Sequence, residues 1–129
     1  MKKSLREENK EKLKQFRKFG KDWNGYDAEP FDSKYLDYIE DILNCIDDEL
    51  QPEIFPIQGD FTLVQFEWRS VSDRFYLEME VNLFNKYEIY YILDAKECKE
   101  KDKFAVTIRK ENLNSMLKLL LNNNERRDI

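Results

Sequence analysis

The hydrophobic period of this chain changes in mid-sequence, and that change bounds what it can fold into. From Tyr35 to Leu50 the apolar residues Tyr35, Leu36, Ile39, Ile42, Leu43, Ile46 and Leu50 recur every three to four positions, the spacing of one buried helix face. From Val64 the period is two. Val64, Phe66 and Trp68 alternate with Gln65, Glu67 and Arg69, and Phe75, Leu77, Met79, Val81 and Leu83 alternate with Tyr76, Glu78, Glu80 and Asn82. Helical and strand periods in separate blocks indicate an α+β domain.

The remaining elements follow from the same reading. Leu5, Leu13, Phe16 and Phe19 predict a first helix over residues 5–19, stopped by Gly20. Asp32 or Ser33 caps the second helix, which runs to Gln51-Pro52. The stretch 52–60, with two prolines and a glycine, reads as an extended connection with no element of its own. A four-residue loop, Ser70-Val71-Ser72-Asp73, sets Arg69 opposite Arg74, Trp68 opposite Phe75, Phe66 opposite Leu77 and Val64 opposite Met79. Tyr87, Ile89, Tyr91 and Leu93 form a third strand after a turn at Phe84-Asn85-Lys86, residues 94–103 an exposed loop, and Phe104, Val106 and Ile108 a fourth strand. Glu111 to Asn124 returns to helix, with Leu113, Met116, Leu117, Leu120 and Leu121 on its apolar side. The expectation is a four-stranded antiparallel meander with helices packed on one face, in the order ααββββα, as one domain over residues 1–129.

The composition excludes whole classes of chemistry. There is no His, so Ser-His-Asp and Cys-His catalysis, His-ligated zinc and a histidine pH switch are all absent. Cys45 and Cys98 stand far apart with no Cys-x-x-Cys, which excludes a zinc ribbon or thioredoxin-type site and suits free thiols in a reducing cytoplasm. After Met1-Lys2-Lys3 no apolar run follows that would serve as a secretory signal, and no segment approaches the roughly 20 apolar residues of a membrane span. The expected location is cytoplasmic, with no metal and no cofactor.

Charge is unevenly distributed. Residues 1–22 carry a net +5, residues 23–96 a net −12 and residues 97–129 a net +2, within a total of −5. An ordinary solvated surface would account for this. A negative field offered to a cationic partner would account for it as well. Sheet parity places Gln65, Glu67, Tyr76, Glu78, Glu80, Glu88, Tyr90 and Ile92 on the face away from the helices, mixing carboxylates that can accept bonds from Arg or Lys with phenols suited to an interface. Between the first two helices, Trp23-Asn24-Gly25-Tyr26 with Pro30 holds two aromatics on a tight loop, where Trp23 and Tyr26 either plug the core or display a contact.

Other readings rest on other residues. The first helix carries Lys10, Lys14, Arg17, Lys18 and Lys21, which could meet phosphates. Glu7, Glu8 and Glu11 interrupt it, the pI is about 4.9, and no stacking platform accompanies it. Asp60, Glu67 and Arg69 loosely imitate the acidic residues and lysine of a metal-dependent nuclease, but arginine is a poor proton acceptor. Glu78 and Glu80 share a face without a sign of a cleft. In the last helix Leu117, Leu119, Leu120 and Leu121 nearly encircle the axis, which calls for burial within the domain or across a homodimer contact.

The segment Trp23-Asn24-Gly25-Tyr26-x-Ala28-x-Pro30, the stretch Pro52-Glu53-Ile54-Phe55-Pro56 and a strand ending Glu67-Trp68 together resemble a family of small uncharacterised bacterial and phage proteins. The likeness covers residues 19–93. That family commonly has Gly where this chain has Asp27, and a Gly-rich turn where this chain keeps Gly59-Asp60. The resemblance implies an α+β domain from mobile-element or defence neighbourhoods and supplies no catalytic residues. The combined expectation is a non-catalytic inhibitor of the immunity-protein, antitoxin or anti-CRISPR kind, docking its acidic face onto the basic, nucleic-acid-binding surface of another protein. The alternatives are a nucleic-acid-binding accessory protein using the basic helix and, behind it, a metal-dependent nuclease.

Overall fold

Helix α1 (Leu5–Phe16) begins at Ser4, whose Oγ accepts a hydrogen bond from the Glu7 amide at 3.2 Å, and Glu7 and Glu8 place negative charge in the first turn, where the helix dipole favours it. In the computed structural model, which describes residues 3–59, 61–69, 76–81, 86–92, 102–107 and 112–119, α1 stops three residues short of the expected Phe19. The Lys18 and Phe19 amides turn back onto the Gln15 and Phe16 carbonyls, and this tightening swings Phe19 into a stack with Trp23.

Helix α2 (Ser33–Asn44) is capped by Asp32, whose carboxylate accepts from the Lys34 amide at 3.1 Å. It ends at Asn44, not at Gln51-Pro52 as its apolar period implies, because Gln51 takes over the closing carbonyls. The Gln51 Nε2 donates to the carbonyls of Leu43 (2.7 Å) and Ile46 (2.8 Å). Its Oε1 accepts from Asn9 Nδ2 on α1 at 3.0 Å, and Asn9 also donates to the Pro52 carbonyl. Both side-chain amides are buried, and their bonds join α1 to the end of α2. A 3-10 turn, Asp48–Leu50, carries Leu50 into the core.

The sheet has five antiparallel strands in chain order: β1 (Glu53–Ile57), β2 (Leu63–Arg69), β3 (Tyr76–Val81), β4 (Lys86–Ile92) and β5 (Asp102–Thr107). The α+β class is as expected; the strand number is not. Residues read as a connection form β1, which pairs Glu53 with Glu67 and Ile57 with Leu63. Pro56 is tolerated there because β1 is an edge strand, where a missing N–H need not break a ladder. The β2–β3 register also differs from expectation. Arg69 lies opposite Tyr76, Trp68 opposite Leu77 and Phe66 opposite Met79, so the connection is two residues longer than predicted. Likewise Val81 pairs with Tyr87 across β3–β4. A shift of two preserves parity, so each position keeps its place in the alternation along the strand.

Behind the sheet, Ile54, Val64, Phe66, Trp68, Leu77, Met79 and Val81 join Leu13, Phe16, Leu36, Ile39, Ile42, Leu43 and Ile46 in one core. Residues 112–119 form a helix, α3, whose Leu113 and Leu117 are fully buried in that core. Leu119 is exposed, so α3 is not enclosed all round as its composition implies. Of the expected 94–103 loop, Asp102 and Lys103 instead open β5, because they pair with Tyr91 and Tyr90, and residues 94–101, Asp60, Leu120 and Leu121 lie outside the described residues.

Tyr35 has a further role. Its hydroxyl donates to the Val81 carbonyl at 2.6 Å and accepts from the Val64 amide at 2.9 Å. The β2–β3 pairing runs from Arg69 opposite Tyr76 to Gln65 opposite Glu80, and the next rung, Val64 with Val81, is bridged by this phenol. The ring is buried, and burial raises its pKa far above the ordinary tyrosine value.

Candidate docking face

Because successive side chains in a strand point to opposite sides, the register assembles the front of the sheet row by row. One row runs Glu53, Glu67, Glu78, Tyr90 and Lys103 from β1 to β5, and the next runs Phe55, Gln65, Glu80, Glu88 and Ala105. Arg69, Tyr76 and Ile92 occupy a third row. For Tyr76, Glu88, Tyr90 and Ile92 the description extends to backbone position only, and the pairing keeps all of them on the register expected for this face.

Exposure varies systematically across it. On edge strand β1, Glu53 and Phe55 are exposed; on β2, Gln65 and Glu67 are half-buried; on β3, Glu80 is half-buried and Glu78 is only 7% exposed. The expectation of a uniformly open acidic face is therefore corrected at Glu78. It sits on the middle strand of five, paired with Glu67 of β2 on one side and with the Tyr90 position of β4 on the other. Glu67 and Glu78 face each other directly, an arrangement that like charges disfavour, and Glu67, Glu78 and Glu80 each interact with a partner inside the chain. Glu53 and Phe55 belong to the same face and were missed in the sequence because Pro52 and Pro56 mask β1. The alternation of Glu53, Ile54 and Phe55 was the available signal.

The loop between α1 and α2 separates its two aromatics. Trp23 stacks on Phe19 with ring centroids 5.0 Å apart and donates its Nε1 to the Glu29 carbonyl at 2.9 Å, within a run of rings that continues through Phe16 and Phe31 to Tyr35. Trp23 is half-buried at the end of this run, resting on Phe19, which itself packs against the core. Tyr26 is 80% exposed. The turn that displays it is held by Asn24 Oδ1, which accepts from the Tyr26 amide, and by Gln58, which bridges Asn24 Nδ2 and the Tyr26 carbonyl at 2.8 Å each. Gly25 has φ +79°, and Asp22 and Asp27 also take left-handed conformations at +64° and +61°.

On α1 and the turn after it, Lys10, Lys14, Arg17, Lys18 and Lys21 are all exposed. They do not form a purely cationic stripe. Arg17 is bound to Asp37 at 2.7 Å, Lys3 to Glu11 at 2.6 Å, and helical spacing interleaves Glu7 and Glu11 with Lys14 and Lys18. The Lys3–Glu11 contact raises the lysine pKa and lowers that of the glutamate.

Among the described residues no group of three Asp, Glu or Cys side chains is placed to hold a metal ion, and no helix is long and apolar enough to cross a membrane. Comparison with known proteins returned no match to any family model, curated protein or solved structure.

Proposed function

We propose that the chain is a non-catalytic binding protein, a small acidic inhibitor or neutraliser of the immunity, antitoxin or anti-CRISPR kind. Its sheet front docks onto the basic, nucleic-acid-binding surface of a partner protein and competes with phosphate. The observation that carries this reading is the register that sets Glu53, Glu67 and Glu78 in one row and Glu80 and Glu88 in the next, in a chain segment of net −12. Glu53 is exposed and Glu67 and Glu80 are partly exposed, so a cationic surface can reach both rows from the front. The likeness to small bacterial and phage proteins points the same way. Asp27, where those proteins commonly have Gly, adopts a left-handed backbone of the kind glycine favours.

The test uses the full chain with Glu67→Lys and Glu80→Lys together; Glu78 is left intact because it is buried. Proteins captured from the native host by the wild-type chain should be lost by the double variant and released from the wild type by added duplex DNA or RNA. Equal capture by both, with circular dichroism unchanged, would overturn the docking face. The rival, a nucleic-acid-binding accessory protein using Lys10, Lys14, Arg17, Lys18 and Lys21, requires direct binding to labelled DNA or RNA that falls steeply with salt, and the inhibitor reading requires none.

A further inference from the structure

The end of the sheet where β1 turns into β2 combines a cavity, an exposed ring and negative charge. Phe61 stands on that turn 63% exposed. Beside it lies a cavity of about 110 Å³, walled by Glu29, Pro30 and Asp32 from the connection between α1 and α2 and by Tyr35, Phe61 and Leu63. The lining is mainly apolar, its charged residues are the exposed Glu29 and Asp32, and no described Lys or Arg contributes to it.

This cavity is built before any ligand arrives. The Glu29 carbonyl accepts from Trp23 Nε1 and from Thr62 Oγ1, which ties the connection to the hairpin turn. Asp32 uses one carboxylate oxygen to cap α2, and the Tyr35 ring is fixed because its hydroxyl is clamped between β2 and β3. Preformed walls lower the ordering cost of binding.

We propose that this cavity seats the side chain of an arginine from the partner's basic surface, with Phe61 against the guanidinium face and Glu29 and Asp32 against its edge. The inference rests on the docking reading above and names the anchor residue of that partner. Arginine is favoured over lysine because a planar, weakly hydrated guanidinium stacks on aromatic rings and meets carboxylates through several fixed donors, whereas an ammonium is a compact, strongly hydrated point charge. The mixture of apolar wall and carboxylate rim suits arginine's methylene stem and charged head together.

The test is a titration of the ¹⁵N-labelled full chain with millimolar acetyl-Gly-Arg-Gly-amide, and with the same peptide bearing Lys or Glu. Saturable amide shifts at Glu29, Thr62 and Leu63 should appear with the Arg peptide, be at least threefold weaker in affinity with Lys and be absent with Glu. Phe61→Ala and Glu29→Gln, both at exposed positions, should each remove saturation. No shift at those amides, or equal responses to Arg and Lys, would overturn the proposal. Repeating the titration on the Glu67→Lys, Glu80→Lys chain separates the two readings. Persistent cavity shifts in a double variant that still captures its partner would sink the docking face alone, and a silent cavity in a wild-type chain whose capture depends on Glu67 and Glu80 would sink the arginine anchor alone.

Discussion

On the back of the sheet Ile54, Val64, Phe66, Leu77, Met79 and Val81 are buried against the helices, whereas on its front the same strands carry Glu53, Phe55, Gln65, Glu67 and Glu80 with partial or full exposure. On the helix side of the sheet, Asn9, Gln51 and the Tyr35 hydroxyl place buried polar atoms in hydrogen bonds. The front instead brings carboxylates into opposition. One face is closed against the helices by apolar packing, and the other keeps Glu53, Glu67 and Glu80 within reach of solvent.

That contrast can be broken by experiment. The largest effect is expected from Phe66→Ala, which opens a cavity behind the sheet and should cost about 3–5 kcal/mol in urea unfolding. Next comes Gln51→Ala, which removes three buried hydrogen bonds, to the Leu43 and Ile46 carbonyls and from the Asn9 amide; about 1–3 kcal/mol is expected by the same measurement. Tyr35→Phe keeps the ring and removes only the bridge, so a loss of about 1–3 kcal/mol should come with faster hydrogen exchange at the Val64 amide. On the front, Glu67→Gln should change stability by less than about 1 kcal/mol, because it removes one of two opposed carboxylates. A cost as large as that of Gln51→Ala would show that the two faces do not differ as argued.

The smallest effect concerns α3. Asp47 is held below the ordinary aspartate range by the Asn114 side chain and by Lys118, whose Nζ lies 3.2 Å from its carboxylate. A depressed folded-state pKa contributes stability above the unfolded value, and that contribution is lost as the pH falls through the folded one. Protection of the Leu113 and Leu117 amides relative to their intrinsic exchange should therefore fall only as the pH drops below about 4, and Lys118→Ala should reduce this pH dependence.

How much was legible in the sequence differs from element to element. The apolar face of α2 and the two faces of β2 and β3 could be read directly, since each is a matter of period. The front residues Gln65, Glu67, Glu78 and Glu80 were found the same way. β1 was hidden by its prolines, which mark a break in most strands but not in one at a sheet edge. The register was wrong by two because loop length is not written in the alternation. The end of α2 was overestimated because the apolar period continues through Ile46 and Leu50 after the helix has stopped. Phe61 and Glu29, the heart of the cavity, carried no signal, as they meet only when the α1–α2 connection reaches the hairpin turn.

The alternation of side chains, by itself, determined which residues share a face, because it follows from backbone geometry and survives any even shift of register. What only the tertiary structure decided was degree and company: that Glu78 is enclosed while Glu53 is open, that Trp23 turns inward while Tyr26 turns out, and that a glutamine after α2 closes that helix. Those outcomes depend on which strand lies in the middle of the sheet and which distant backbone groups need a partner, and both are properties of the packed chain as a whole.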